Sequence, residues 1–252
     1  MRSGRLGAVR GLLPGLLLFF VGAAGLSAAP TESWPVDLRV AGEVGWVSRY
    51  LYRGEERAGS SLQVASEALW REDRASFYAG AWSNTATASD SDPGNEVDLY
   101  GGATWILSPF LAVDTGITQY FYTAGGARPA DATEPYAGLL LELPLRPAVY
   151  GYHNFAYQQW LGELRVDRRW YPWERTTLVA AAQAGLGYAA DANSGAVAGT
   201  PGERFGYLGL ELAAVYALSD PLDLRLHGEW AGRRTGSTDS AFAWGISVRA
   251  RY

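Results

Sequence analysis

Apolar and polar positions alternate along almost the whole chain. From 36 to 53, one face carries Val36, Leu38, Val40, Val44, Trp46, Tyr50 and Tyr52, and the other carries Asp37, Arg39, Glu43, Arg49 and Arg53. A repeat of two belongs to a strand whose side chains point to opposite sides of a sheet. Eighteen residues in one register far exceed the roughly five or six of an ordinary strand, and they are enough to cross a bilayer at a tilt. The same repeat predicts further strands at 61–71, 75–84, 95–107, 110–123, 134–143, 148–158, 161–169, 176–189, 203–217, 221–232 and 240–252. With the first they number twelve, and an even number brings both ends of a closed barrel to one side.

Connection lengths support the same architecture. The segments 54–60, 85–94, 124–133 and 190–202 are long, 233–239 is intermediate, and 72–74, 108–109, 144–147 and 218–220 are short. Long loops at one end and short turns at the other are the pattern of outer-membrane barrels. Two joins interrupt it: 159–160 is short for the loop end and 170–175 is long for the turn end. A miscounted hairpin would therefore fall between 158 and 176. The predicted fold is an all-β, transmembrane antiparallel β-barrel of twelve strands.

Quantity decides which face points inward. The polar faces carry Arg39, Glu43, Arg49 and Arg53 in the first segment, then Glu67 and Arg71 in the second. Glu96, Asp98 and Asp114 follow in the fourth and fifth, and Glu163 and Arg165 in the eighth. The last two segments add Asp223, Arg225, Glu229, Arg249 and Arg251. A twelve-strand wall with these groups outside would enclose a wide cavity of Leu, Val and Trp that needs a large apolar ligand or a plug. Turned the other way, lipid satisfies the apolar face, and water and opposite charges satisfy the polar one. These residues are accordingly expected to line a pore. Arg39, Arg49 and Arg53 with Arg249 and Arg251 would form one basic stripe where first and last strands meet, favouring anions. The alternative is that each is neutralised by an acid on a neighbouring strand.

The N-terminus bears on location. Arg2, Arg5 and Arg10 precede an apolar stretch at 12–21, and Gly25, Ser27, Ala28 and Ala29 follow, the order of a cleavable signal peptide. Cleavage at about 27–29 would leave 30–252 as the barrel domain, destined for the bacterial outer membrane. The net charge of −5 becomes −8 when those three arginines are removed, which argues against nucleic acid as a partner. Ten Trp and 15 Tyr suit a chain with two membrane–water boundaries. Phe242, Trp244, Ile246, Val248 and Tyr252 share one face of the final segment. A terminal aromatic such as Tyr252 resembles the signal read by the outer-membrane barrel assembly machinery. The expected partners are outer-membrane lipid, that machinery and small polar solutes.

Candidate chemistry is sparse. With two histidines and no cysteine, imidazole or thiolate metal sites are not expected, nor is a cofactor. Asp90, Asp92, Asn95 and Glu96 depart from the EF-hand spacing and read as a solvated loop. His153 beside Asn154 invites comparison with barrel hydrolases, but neighbours in a strand face opposite ways. The reading is a porin-like channel. The alternatives are an outer-membrane lipid-modifying hydrolase, or a structural barrel with a filled lumen.

Several segments also resemble a family. Ser48-Arg49-Tyr50-Leu51-Tyr52-Arg53-Gly54 resembles the "S-x-Y-x-x-R-G" end of the first strand in the TorF family of porin-like outer-membrane proteins. Phe77 to Asn84, Glu96 to Gly102 and Gly116 to Tyr122 are similar to three further blocks of that family, in matching order across roughly 44–122. After Gly54 the family usually carries an apolar residue and a Gln-rich turn, where this chain has Glu55-Glu56-Arg57. The resemblance implies an outer-membrane pore and names no solute.

Overall fold

The computed structural model describes residues 37–87, 95–122, 131–189, 203–235 and 237–252, and every regular element among them is a strand. The order is β1 (Asp37–Val47), β2 (Tyr50–Tyr52), β3 (Glu55–Ala58), β4 (Ser61–Arg71), β5 (Ala75–Ala86), β6 (Glu96–Ser108) and β7 (Leu111–Tyr122). It continues with β8 (Ala132–Leu141), β9 (Ala148–Asn154), β10 (Gln159–Trp173), β11 (Thr176–Ala189), β12 (Glu203–Ser219), β13 (Leu222–Thr235) and β14 (Ser237–Arg251). β1 and β4 to β14 form a closed antiparallel barrel of twelve strands, and β2 and β3 form a separate two-stranded sheet. β1 closes the ring by pairing with β4 on one side and β14 on the other. At the seam the Val40 N–H donates to the Tyr252 carbonyl at 2.9 Å, and the Tyr252 N–H returns to Val40 at 2.8 Å. Closure leaves no unpaired edge in the wall.

Three expectations are corrected. The alternation at 36–53 does not mark one wall strand: the chain leaves the wall after Val47, and residues 50–58 return as the β2–β3 hairpin. The last wall contact is the Ser48 N–H on the Trp244 carbonyl, at 2.8 Å. The two irregular joins are resolved, because the turn lies at 155–158 and β10 runs from Gln159 to Trp173, with an irregularity in its pairing to β11 between Trp170 and Trp173. The connection at 233–239 is also shorter than expected, since β13 and β14 stay paired to Thr235 and Ser237. The expected signal peptide, Asp90 and Asp92 lie outside the described residues.

The surface is inverted relative to a soluble barrel. Leu99, Ile117, Leu139, Val149, Leu164, Leu186, Leu208 and Leu212 are exposed on the outside, while Glu43, Asp98, Asp114, Glu134 and Glu163 are buried within. Aromatic rings mark both margins of the apolar band. Trp70, Phe77, Trp105 and Trp170 ring the end where β14 finishes, and Phe121, Trp160, Tyr188, Phe242 and Trp244 ring the other. The ten residue steps from Trp160 to Trp170 span about 33 Å along a strand, or about 25 Å along the axis at a tilt of about 40°. That is the height of a membrane hydrocarbon band.

One side of the interior is filled. The Tyr150 ring lies over Gly138 on the adjacent strand, and the Tyr78 ring over Gly102; a Cβ at either glycine would strike the ring. Tyr78 and Tyr150 both donate to Asp114, at 2.8 and 3.1 Å, and Thr104 donates at 3.1 Å. Tyr136 joins through the Tyr78 hydroxyl at 2.6 Å. This satisfied polar–aromatic layer occupies the β5–β9 side and leaves open space against β10–β14 and β1.

Candidate functional site: a hairpin folded into the lumen

β2 and β3 meet at a two-residue turn, Arg53-Gly54, flanked by the paired residues Tyr52 and Glu55. Both turn residues have positive φ, 48° and 82°, the backbone of a type I′ hairpin turn. Arg53 holds a conformation that costs a side-chain-bearing residue roughly 1–2 kcal/mol. Gly54 is required twice over, since a Cβ there would sit 2.7 Å from the Tyr207 Cβ and 2.8 Å from the Gly232 carbonyl.

The hairpin is fastened to both sides of the barrel. Toward β6–β9, the Tyr50 hydroxyl donates to Glu96 at 2.5 Å, and the Tyr52 and Tyr120 hydroxyls meet at 3.0 Å. Arg53 donates twice to Glu134 at 2.9 and 2.7 Å, its guanidinium 4.6 Å from the centre of the Tyr152 ring. Burial, with the Glu96 and Asp98 carboxylates beside it, pushes the Tyr50 phenol well above its usual range, so it keeps the proton it donates. Toward β13 and β14, Glu55 pairs with Arg233, and Leu51 packs on Ala231 and Ala243. Glu56 pairs with Arg49 across the hairpin at 3.0 Å. The segment that resembles the TorF family, Ser48 to Gly54, is therefore the inward limb and tip of this constriction.

Below the hairpin is a cavity of about 470 Å³ that reaches the turns at the opposite end, at Glu142, Glu174 and Arg175. Among the residues expected to face a pore, Glu43, Glu67, Glu163, Arg165, Asp223 and Arg225 line it. So do Glu229, Arg249 and Arg251 on the wall, and Arg49 and Arg53 from the hairpin above. Glu96 and Asp98 lie buried beside the hairpin, and Asp114 is enclosed by tyrosine hydroxyls. Arg39 pairs with Asp37 at the exposed rim, where Arg71 is the register partner of Asp37.

The five-arginine stripe is not formed. Arg49 and Arg53 leave with the hairpin, Arg39 and Arg251 pair with Asp37 and Asp223, and Arg249 stands near Glu43 and Glu67. The continuous strand on which that expectation rested ends at Val47.

Other groups became evident only in three dimensions. Tyr50 and Tyr52, expected on the lipid face, are inside, as are Tyr100, Tyr120, Tyr136 and Tyr152. The parity of Tyr100 with Asp98, and of Tyr120 with Asp114, carried that signal. Glu134 shares the inner face with Tyr136. His153 stacks on Trp160 at 4.1 Å, while Asn154 is buried and accepts the Tyr157 N–H at 3.1 Å, so the two do not assemble. Tyr157 packs inside with Tyr120 and Tyr122. The Tyr252 side chain is 77% exposed.

Comparison with solved structures places the fold among outer-membrane channels. The NanC porin aligns with a TM-score of 0.52 and 12% identity, covering 84% of this chain and 98% of the porin. An outer-membrane channel from Pseudomonas putida F1 aligns at 0.52 and 8%, covering 90% and 100%. The KdgM porin aligns at 0.50 and 8%, covering 82% and 98%. At such identities the likeness is one of fold. No curated protein sequence matches the chain. A family model described as "Bacterial protein of unknown function (Gcw_chp)" matches residues 31–163, more than half of the chain and all of the hairpin, and the chain therefore belongs to the Gcw_chp family.

Proposed function

We propose that this chain is a bacterial outer-membrane channel for small polar solutes, narrowed by its own β2–β3 hairpin. The observation that carries the reading is the charged cavity of about 470 Å³ beneath the hairpin, inside a barrel whose outer face is apolar. Lipid hydrocarbon satisfies that outer face, and water in the cavity satisfies the charges. The resemblance of residues 44–122 to the TorF family falls wholly within the segment matched by the family model and supports the same function. In this reading the hairpin end faces the exterior, the short-turn end faces the periplasm, residues 1–29 direct export, and Tyr252 is presented to the assembly machinery.

Planar-bilayer recording of the refolded protein tests the proposal. A channel gives discrete current steps in KCl. The second reading, a structural barrel with a filled lumen, is favoured by the fastening of the hairpin to both walls. A correctly folded barrel that leaves the bilayer silent would establish that reading instead.

A further inference from the structure

The outer face of the wall carries few charges, and they are all of one sign. Register and exposure place Leu186, Tyr188, Leu208 and Trp230 on the outside. Among the described side chains of the wall strands, the charged ones at the same outward parity are Arg168, Arg204 and Arg234, with no acid. The three are not alike. Arg168 on β10, at the short-turn end, donates to the Pro144 carbonyl at 2.9 Å. Arg204 and Arg234 stand on adjacent strands, β12 and β13, at the hairpin end. Both are exposed, and neither has an ion pair or side-chain hydrogen bond among the described residues. Asp239, beside Arg234 in the sheet, is the register partner of Arg233 and has the inward parity.

The register brings the two together. Arg204 is the partner of Tyr188, in the aromatic margin of the apolar band, and Arg234 is the partner of Gly206, two residues along β12 from Arg204. Diagonal neighbours of this kind lie about 7–8 Å apart, a gap that two long guanidinium side chains close around a single group. Gly206 has no side chain to fill the space between them, and a Cβ there would meet only the Leu186 Cδ2 at 3.2 Å and the Gly185 carbonyl at 3.6 Å. The Trp230 ring leans along β13 against Gly232, toward Arg234. The two arginines therefore rise from a low floor, and the exposed Leu186, Leu208 and Leu212 continue it toward the membrane interior.

Like charges on neighbouring strands repel, and an anion held between them offsets the repulsion. A guanidinium presents a planar fork of donors that matches phosphate oxygens, and basic groups at headgroup level attract anionic lipids. We infer that Arg204 and Arg234 form a site for the phosphate headgroup of an outer-leaflet lipid, whose acyl chains lie along the leucines of β11 and β12. The apolar floor that runs on from the arginines favours a lipid over free phosphate, which would leave that floor uncovered. The inference rests on the proposed membrane setting and orientation, with the hairpin end facing the exterior. It assigns a lipid partner to a face that the channel itself does not use.

Native mass spectrometry of the full chain refolded in detergent tests the site, with diphosphorylated lipid A, fully dephosphorylated lipid A and inorganic phosphate as probes. The parent should retain the phosphorylated lipid about tenfold or more tightly than the dephosphorylated one, and inorganic phosphate should not displace it. R204Q/R234Q should lose that preference, while R168Q, which removes the other outward arginine, should bind as the parent does. Equal retention of both lipids by the parent, an undiminished preference in R204Q/R234Q, or an equal loss in R168Q would overturn the proposal. Inorganic phosphate bound as tightly as the lipid would mark a free-anion site and overturn the lipid assignment. The channel reading is separable: a protein that conducts without distinguishing the two lipids loses the site alone. One that retains the phosphorylated lipid and passes no current keeps the site and loses the channel.

Discussion

Arg53, at the tip of the inner hairpin, donates two hydrogen bonds to Glu134 on β8, at 2.9 and 2.7 Å, across 81 residues of sequence. The pair is buried, and removing two charges from water can cost as much as their attraction returns. Its value is therefore positional: a planar guanidinium gripped at both nitrogens fixes the hairpin at one angle across the lumen. It also holds Arg53 at its positive φ.

Removing one partner should release the tip and leave a buried charge behind. R53A and E134A are each expected to lower stability by up to about 3–5 kcal/mol, with the double variant R53A/E134A losing less than the sum. Denaturant unfolding of the four proteins checks this. Additive losses would show that the two residues act independently.

The tyrosine layer gives a prediction with an internal control. Gly138 lies under the Tyr150 ring, whereas a Cβ on Gly151 meets nothing within 4 Å. G138V should destabilise the barrel by about 1–3 kcal/mol through overpacking, and G151A should leave the urea midpoint nearly unchanged. Similar midpoints for both variants would contradict the packing described for β8 and β9.

Closure of β1 onto β14 has a consequence on gels. A ring without an edge resists unravelling in detergent, so the unboiled protein should migrate differently from the boiled one. Identical mobility, together with solubility in the absence of detergent, would contradict the membrane barrel.

Tyr252 and Tyr188 both expose their rings on the outer surface, but only Tyr252 ends the chain. Charged substitution at Tyr252 should reduce the yield of inserted protein well below that of the same change at Tyr188. Equal membrane yields would show that the terminal aromatic carries no assembly information.

The wall was legible because a period of two over ten or more residues has few other physical meanings. The twelve strands, the alternating connections and the inversion of faces all follow from it. The hairpin was not legible, because the repeat continues unbroken from Trp46 into Tyr50 and Tyr52 and records parity, not direction. What marks the departure is the φ > 0 demanded at Arg53-Gly54, together with partners on β6, β8 and β13 that only closure brings near. The tyrosines misled for a related reason. A ring with a hydroxyl suits a lipid boundary and a polar core equally well, and only its parity with a buried acid separates the two. Ion pairing was hidden for the same cause, since it depends on register, as the apposition of Glu211 and Glu229 shows.

The central claim, a channel narrowed by a hairpin folded into its own lumen, is tested most directly by single-channel recording of two proteins. One is the parent, and the other has residues 49–59 replaced by a short Gly-Ser linker. The expected result is discrete small steps for the parent and clearly larger steps for the variant, with both remaining heat-modifiable. Equal conductance in the two, or two correctly folded barrels that pass no current, would contradict the account.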